Sequence, residues 1–162
     1  GAWLYTADFA PLTSPDGPQD DGNEGWYAIA DRAVWRGESA AVAAFLRIGQ
    51  AEERFNPFDG YVGFGTGISG FSARRPDDEV GLAVAIGLTG DEFEDSRQLD
   101  GLRTDSHETT LELTYRAPIT DWLTLQPDIQ YIINPGTDPD LDDALVVLLR
   151  FELSWSAPLG GG

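Results

Sequence analysis

The chain has 162 residues, enough for one domain with a full core, and nothing in its composition marks a second. A net charge of −18 with a pI near 4.1 opposes a nucleic-acid partner, which needs a basic face, and the lack of Cys excludes disulfides, thiolate metal sites and cysteine nucleophiles. No window approaches the roughly eighteen uninterrupted apolar residues of a spanning helix.

Gly1 opens directly into strand-like sequence, so any signal peptide is removed or lies outside the chain. The pattern predicts eight strands, near Ala2–Ala10, Trp26–Arg36, Ala40–Gln50, Tyr61–Ser69, Val80–Leu88, Glu108–Arg116, Trp122–Asn134 and Ala144–Trp155, with no competing helix. Trp26–Arg36 is ambiguous: Tyr27, Ile29, Ala33 and Trp35 share a face with Asp31, and a bulge would resolve the conflict. Tyr61–Ser69 and Val80–Leu88 each set an apolar face against one of Gly, Ala and few larger residues. So bare a face cannot fill a core, and it suits a packed loop or a wall beside open space.

The last three strands alternate most clearly. Leu111, Leu113 and Tyr115 oppose Glu108, Glu112 and Arg116; Leu125, Ile129 and Tyr131 oppose Gln126, Asp128 and Gln130; Leu145 through Leu153 oppose Arg150 and Glu152. These strands reach the roughly nine to eleven residues that cross a bilayer, where ordinary strands have about five or six. Arg36–Ser39 and Pro118–Asp121 read as tight turns and Gly70–Glu79 as a middling one. The connections between them are longer and acidic. Short turns at one end and long loops at the other is the habit of membrane barrels. Trp3, Trp35, Tyr115, Trp122, Tyr131 and Trp155 lie near strand ends, where interface girdles belong. A soluble barrel plugged by aromatics remains the alternative on these residues alone.

The stretches RRPDDEVGLAVAIG (Arg74–Gly87), Glu108–Gly136 and DALVVLLRFELSW (Asp143–Trp155) resemble the carbohydrate-selective outer-membrane porin family. Trp122, Leu125, Gln126, Pro127, Asp128, Gln130, Tyr131 and the Asn134-Pro135-Gly136 run carry the likeness best, and it extends more weakly to Trp26 and Phe45–Gly49. The resemblance implies an all-β, antiparallel up-and-down transmembrane barrel in a Gram-negative outer membrane, passing sugars passively and without a cofactor. The family barrel has sixteen strands, whereas these eight resemble its C-terminal half. Residues 1–162 are then a single barrel or half-barrel domain, with 156–162 a tail running past the terminal aromatic Trp155. Eight strands closed on themselves leave only enough interior for side chains, which would make the chain a non-conducting anchor. A soluble carbohydrate-binding β-domain is the third reading.

On the pore reading, Arg47, Glu108, Glu112, Arg116, Gln126, Asp128, Gln130, Arg150 and Glu152 are candidates to line the channel, supplying donors and acceptors to small sugars in transit. The alternative is a ladder of charges that pair across strands. Outer-membrane lipid is the other expected partner, nucleic acid is not one, and an oligomer stays open. The loop carrying Asp138, Asp140, Asp142 and Asp143 offers carboxylates to a hard cation such as Ca²⁺ but lacks the twelve-residue calcium-loop pattern, so a solvated acidic loop is expected there and at Asp91–Asp95. His107 stands beside Ser106 and Asp105, yet sequence neighbours on an extended chain point opposite ways, and no catalytic role is expected.

Overall fold

Strands with one apolar and one polar face, each joined to the next locally, assemble into an up-and-down antiparallel sheet. Eight do so: β1 (Ala2–Phe9), β2 (Asp20–Arg36), β3 (Ala41–Ala51), β4 (Phe58–Ser69), β5 (Glu79–Thr89), β6 (His107–Thr120), β7 (Leu123–Ile133) and β8 (Ala144–Leu153). The computed structural model describes residues 1–155, so the tail expected over 156–162 lies outside the described residues. Spatial order equals chain order from β1 to β8, and the two outermost strands do not pair. The sheet is therefore open, and the closed eight-stranded barrel is not what these residues form. No helix among the described residues is long and apolar enough to cross a membrane, a test that says nothing of strands.

Neither face is buried in a dry core. Ala117, 5% exposed, is the one buried apolar side chain among the described residues, while Val147 and Leu149 stand 69% and 66% exposed. A two-layer sandwich would hide such residues between its sheets. Cross-strand register instead collects them on one side: Ala30, Leu46, Phe64, Val84, Leu111, Tyr131 and Leu145 follow one another across seven strands. The predicted bulge is present, with the β2–β3 register shifting between Ala33 and Trp35. The shift carries Trp35 to the apolar side opposite Val42 and leaves Asp31 on the polar side opposite Phe45.

Strand boundaries differ from the sequence reading throughout, β4 for one beginning at Phe58 and β8 ending at Leu153, and three of the differences have a visible cause. β2 begins at Asp20 because its polar start pairs with β1, from Phe9 opposite Asp20 to Ala2 opposite Trp26. β6 runs on to Thr120, whose Oγ1 accepts the N–H groups of Trp122 (3.3 Å) and Leu123 (3.0 Å). Trp122 thus sits in the turn and β7 starts one residue later. An unexpected helix, α1 (Asp91–Leu99), follows β5. It shows no apolar stripe, but Asp91, Glu92 and Glu94 in its first turn and Arg97 in its last complement the backbone dipole. Gly101, at φ +74°, ends it by donating its N–H to Gln98 O at 2.9 Å.

The connections alternate between the two ends of the sheet. Those at 37–40, 70–78 and 121–122 lie at one end and those at 10–19, 52–57, 90–106 and 134–143 at the other, the second set being longer on the whole although 52–57 is shorter than 70–78. The longer loops hold one another. Thr13 donates to Glu92 Oε2 (2.9 Å), Leu12 N–H to Arg54 O (2.9 Å), Arg97 to Asp138 Oδ2 (3.1 Å) and Asp105 N–H to Thr137 O (2.8 Å). At the short-turn end Asp78, only 1% exposed, accepts Arg75 Nε at 2.8 Å and the Tyr115 hydroxyl, while Arg75 Nη2 donates to Pro118 O at 3.3 Å. One ion pair thereby fastens the β4–β5 turn to the end of β6.

Candidate functional site

The side of the sheet away from the apolar belt is a polar wall, and period-two alternation decides which residues stand on it. Asp31, Phe45, Gly65, Ala83, Glu112, Gln130 and Val146 form one row across β2 to β8. Ile29, Arg47, Gly63, Ala85, Thr110, Ile132 and Ala144 form the next, and Tyr27, Gly49, Tyr61, Gly87 and Glu108 the one beyond. Nearer the short turns stand Thr114 with Asp128, Gln126 with Arg150, and Thr124 with Glu152. All nine residues singled out from the sequence occupy this face, Arg116 by alternation with Thr114. Tyr27, Arg47, Tyr61, Ala85 and Glu108, from five neighbouring strands, border a single hollow of about 480 Å³.

The wall is hydrogen-bonded along its flank. Gln130 Nε2 donates to Glu112 Oε2 (3.1 Å), Gln126 Nε2 donates to Thr114 Oγ1 (3.0 Å), and Arg116 lies 4.0 Å from Glu152. Gly136 N–H donates to Glu108 Oε2 at 2.6 Å, and the Arg47 guanidinium stands 4.9 Å over the Phe45 ring. Charges held in this way stay wet and polar without drawing the wall together, since only one of these contacts is an ion pair and it is long. The ladder between β6 and β7 is interrupted between Thr114/Asp128 and Ala117/Leu125, where Pro127 brings no N–H.

The end-of-strand aromatics divide. Trp35 and Tyr115 lie on the apolar side toward the short turns, with Trp122 and Trp155 beyond strand ends there, and Tyr131 lies at the other end, donating to Asp143 Oδ2 at 2.7 Å. Trp3 is placed differently from expectation. It pairs with Gly25, two residues from Tyr27, and so stands on the wall face at the edge of the hollow.

The acidic loop is occupied with its neighbours. Asp138 accepts Arg97 and the Asp140 N–H, Asp140 lies 3.8 Å from Arg103, and Asp143 holds Tyr131 and the Asn134 N–H. Among the described residues no three His, Cys, Asp or Glu side chains, Asp142 included, are grouped to hold a metal ion. Ser106 Oγ and His107 Nδ1 approach to 3.1 Å, contrary to expectation, because Ser106 precedes the strand that begins at His107. Sequence reasoning missed the Asp78 lock and the rings described below. The RRPDD turn signalled the first, but the second needs the cross-strand register.

An open antiparallel sheet of bilayer-crossing strands, apolar and exposed on one side and polar on its hollow side, defines a segment of a transmembrane β-barrel wall. The profile of the family described as "Carbohydrate-selective porin, OprB family" matches residues 1–155, and the chain belongs to that family. It is 28% identical over 159 residues to Porin B of Pseudomonas aeruginosa, covering 87% of this chain and 35% of that protein. The solved structure titled "High pH structure of Pseudomonas putida OprB" superposes with a TM-score of 0.84 at 23% identity, over 95% of this chain and 43% of that one. The chain thus spans well under half the length of either relative. Family membership places it in the outer membrane of a Gram-negative bacterium.

Proposed function

We propose that this chain forms one flank of a water-filled outer-membrane channel that passes sugars by passive diffusion. The observation that carries the reading is the back-to-back sorting of the sheet. Nine polar side chains share the hollow face, and exposed Leu, Val, Ile and Phe cover the other, with no dry core between. Arg47, Glu108, Glu112, Arg116, Gln126, Asp128, Gln130, Arg150 and Glu152 then line the water, and Trp35, Tyr115, Trp122, Tyr131 and Trp155 mark the membrane interfaces. Residues 1–162 act as a single half-barrel domain. Its outer edges, on β1 and β8, must be paired by further strands, since lipid satisfies no backbone N–H or C=O. About sixteen strands leave an aqueous lumen where eight do not. Neither catalysis nor a cofactor enters this function: the wall offers hydroxyl-binding groups in series, and weak repeated contacts let a solute leave as readily as it enters. The partners are lipid and sugar, not nucleic acid.

Planar-bilayer recording on the full-length native protein tests this. Discrete channel openings in KCl and swelling of reconstituted liposomes in isotonic glucose are expected. Stable insertion with neither openings nor swelling makes it an anchor instead.

A further inference from the structure

Three wall glycines have rings lying over them. A β-carbon built on Gly65 stands 2.6 Å and 2.7 Å from ring carbons of Phe45, its cross-strand partner. One on Gly63 stands 2.9 Å from Cζ of Tyr61, and one on Gly87 3.0 Å from Cδ1 of Phe58. At Gly65 and Gly63 such separations leave no room for a methyl group unless the ring moves, and at Gly87 the ring would have to give by a few tenths of an ångström, so glycine lets these rings lean over the backbone. The Arg47 guanidinium lies over Phe45, so a flat group is already stacked on that ring.

Tyr61, Phe58 and Tyr27 border the 480 Å³ hollow together with Arg47 and Glu108, and Phe45 borders an adjoining one of about 440 Å³ that shares Arg47. Gly136 N–H fixes the Glu108 carboxylate at the rim. A pyranose has this same division of chemistry, an apolar face of C–H groups and an edge of hydroxyls that both donate and accept. Guanidinium supplies donors only and carboxylate acceptors only, so the pair together reads both sides of a hydroxyl.

We propose that Phe45, Tyr61 and Phe58, leaning over Gly65, Gly63 and Gly87, are stacking surfaces in series for the apolar face of a pyranose in transit, with Arg47 and Glu108 offering contacts to its hydroxyl edge. The platform rests on the channel reading, which it deepens by assigning a sugar contact to the stretch β3–β5. It is tested on the full-length native porin in planar bilayers, reading KCl conductance and the glucose concentration that half-blocks it. Tyr61→Ala and Phe45→Ala are expected to raise that concentration about three- to tenfold, the loss of one ring contact, with KCl conductance within about twofold of the parent. Gly63→Ala removes no ring but displaces Tyr61, whose side chain alone its β-carbon would meet, and it raises the concentration likewise. Tyr61→Phe keeps the ring and leaves the concentration unchanged, so the test holds even where an alanine variant does not fold. Normal KCl channels whose glucose block is indifferent to Tyr61→Ala and Gly63→Ala overturn the platform and leave the channel standing. A Tyr61→Phe loss equal to that of Tyr61→Ala also overturns it, by assigning the effect to the hydroxyl. Absence of channels in the native protein removes the channel reading and the platform with it.

Discussion

Leu148 and Leu149 are adjacent on β8, and the sheet assigns them opposite solvents. Leu149 is opposite Pro127 on the apolar side and 66% exposed, whereas Leu148 is opposite Asp128 on the polar wall, next to the native Arg150. Arginine at a lipid-facing site near mid-bilayer costs about 2–4 kcal/mol. Leu149 is the middle member of the five outward residues from Leu145 to Leu153, so Leu149→Arg falls in that range. At about 1.4 kcal/mol per decade, the folding equilibrium drops by a factor of about 30 to several hundred. Leu148→Arg puts the same guanidinium on the wet face, where surface substitutions stay within about 0.5 kcal/mol. Reversible denaturant unfolding of the full-length protein in phospholipid vesicles, followed by tryptophan fluorescence, measures both. A sheet with water on both faces would tolerate the two equally. Equal stabilities, or a greater loss from Leu148→Arg, refute the assignment of faces.

The Asp78 carboxyl is held below the usual carboxylate range by its hydrogen bond from Arg75, against the opposing effect of burial and with further help from Tyr115. A carboxyl depressed in the folded state contributes stability that is complete above the ordinary value of 3.8 and is lost as pH falls through the folded value. Melting in detergent should therefore be insensitive to this group from pH 7 to about 4 and fall below that, with Asp78→Asn flattening the acid limb; an unchanged limb counts against the lock. The four long connections hold thirteen acidic residues against three Arg, while the three short turns hold four against two. Changing Asp91, Glu92, Glu94 and Asp95 to their amides should weaken cation preference in a KCl-gradient reversal potential at low salt, and the difference should shrink toward 1 M as screening shortens to about 3 Å. Arg97→Ala breaks the clasp to Asp138, a half-exposed pair worth at most about 1 kcal/mol, so limited proteolysis should quicken within 90–106 with little change in melting; cleavage as slow as in the parent removes the clasp.

The belt and the wall were legible because membrane strands must alternate over their full length, and β5 to β8 do so with few exceptions. Family resemblance supplied the expectation of strands beyond these eight, which no periodicity can give. The sequence hid what depends on partners distant in the chain. Phe45 lies over Gly65 only once β3 and β4 are in register, and the polar start of β2 becomes strand only through β1. Helix α1 was missed for want of an apolar stripe, although its acidic first turn, Arg97 and Gly101 carried the start and stop signals. Trp3 was read by its nearness to a strand end, but pairing with Gly25 turns it to the wall.

The two faces are tested most directly on β8 by cysteine scanning, and residues 1–162 contain no Cys to remove. Single cysteines from Leu145 to Leu153 in the full-length protein, reconstituted in vesicles, are treated with a charged water-soluble thiol reagent. Strong labelling at 146, 148, 150 and 152 with protection at 145, 147, 149 and 151 is the expected result. Uniform labelling along the strand, or the inverse alternation, contradicts it.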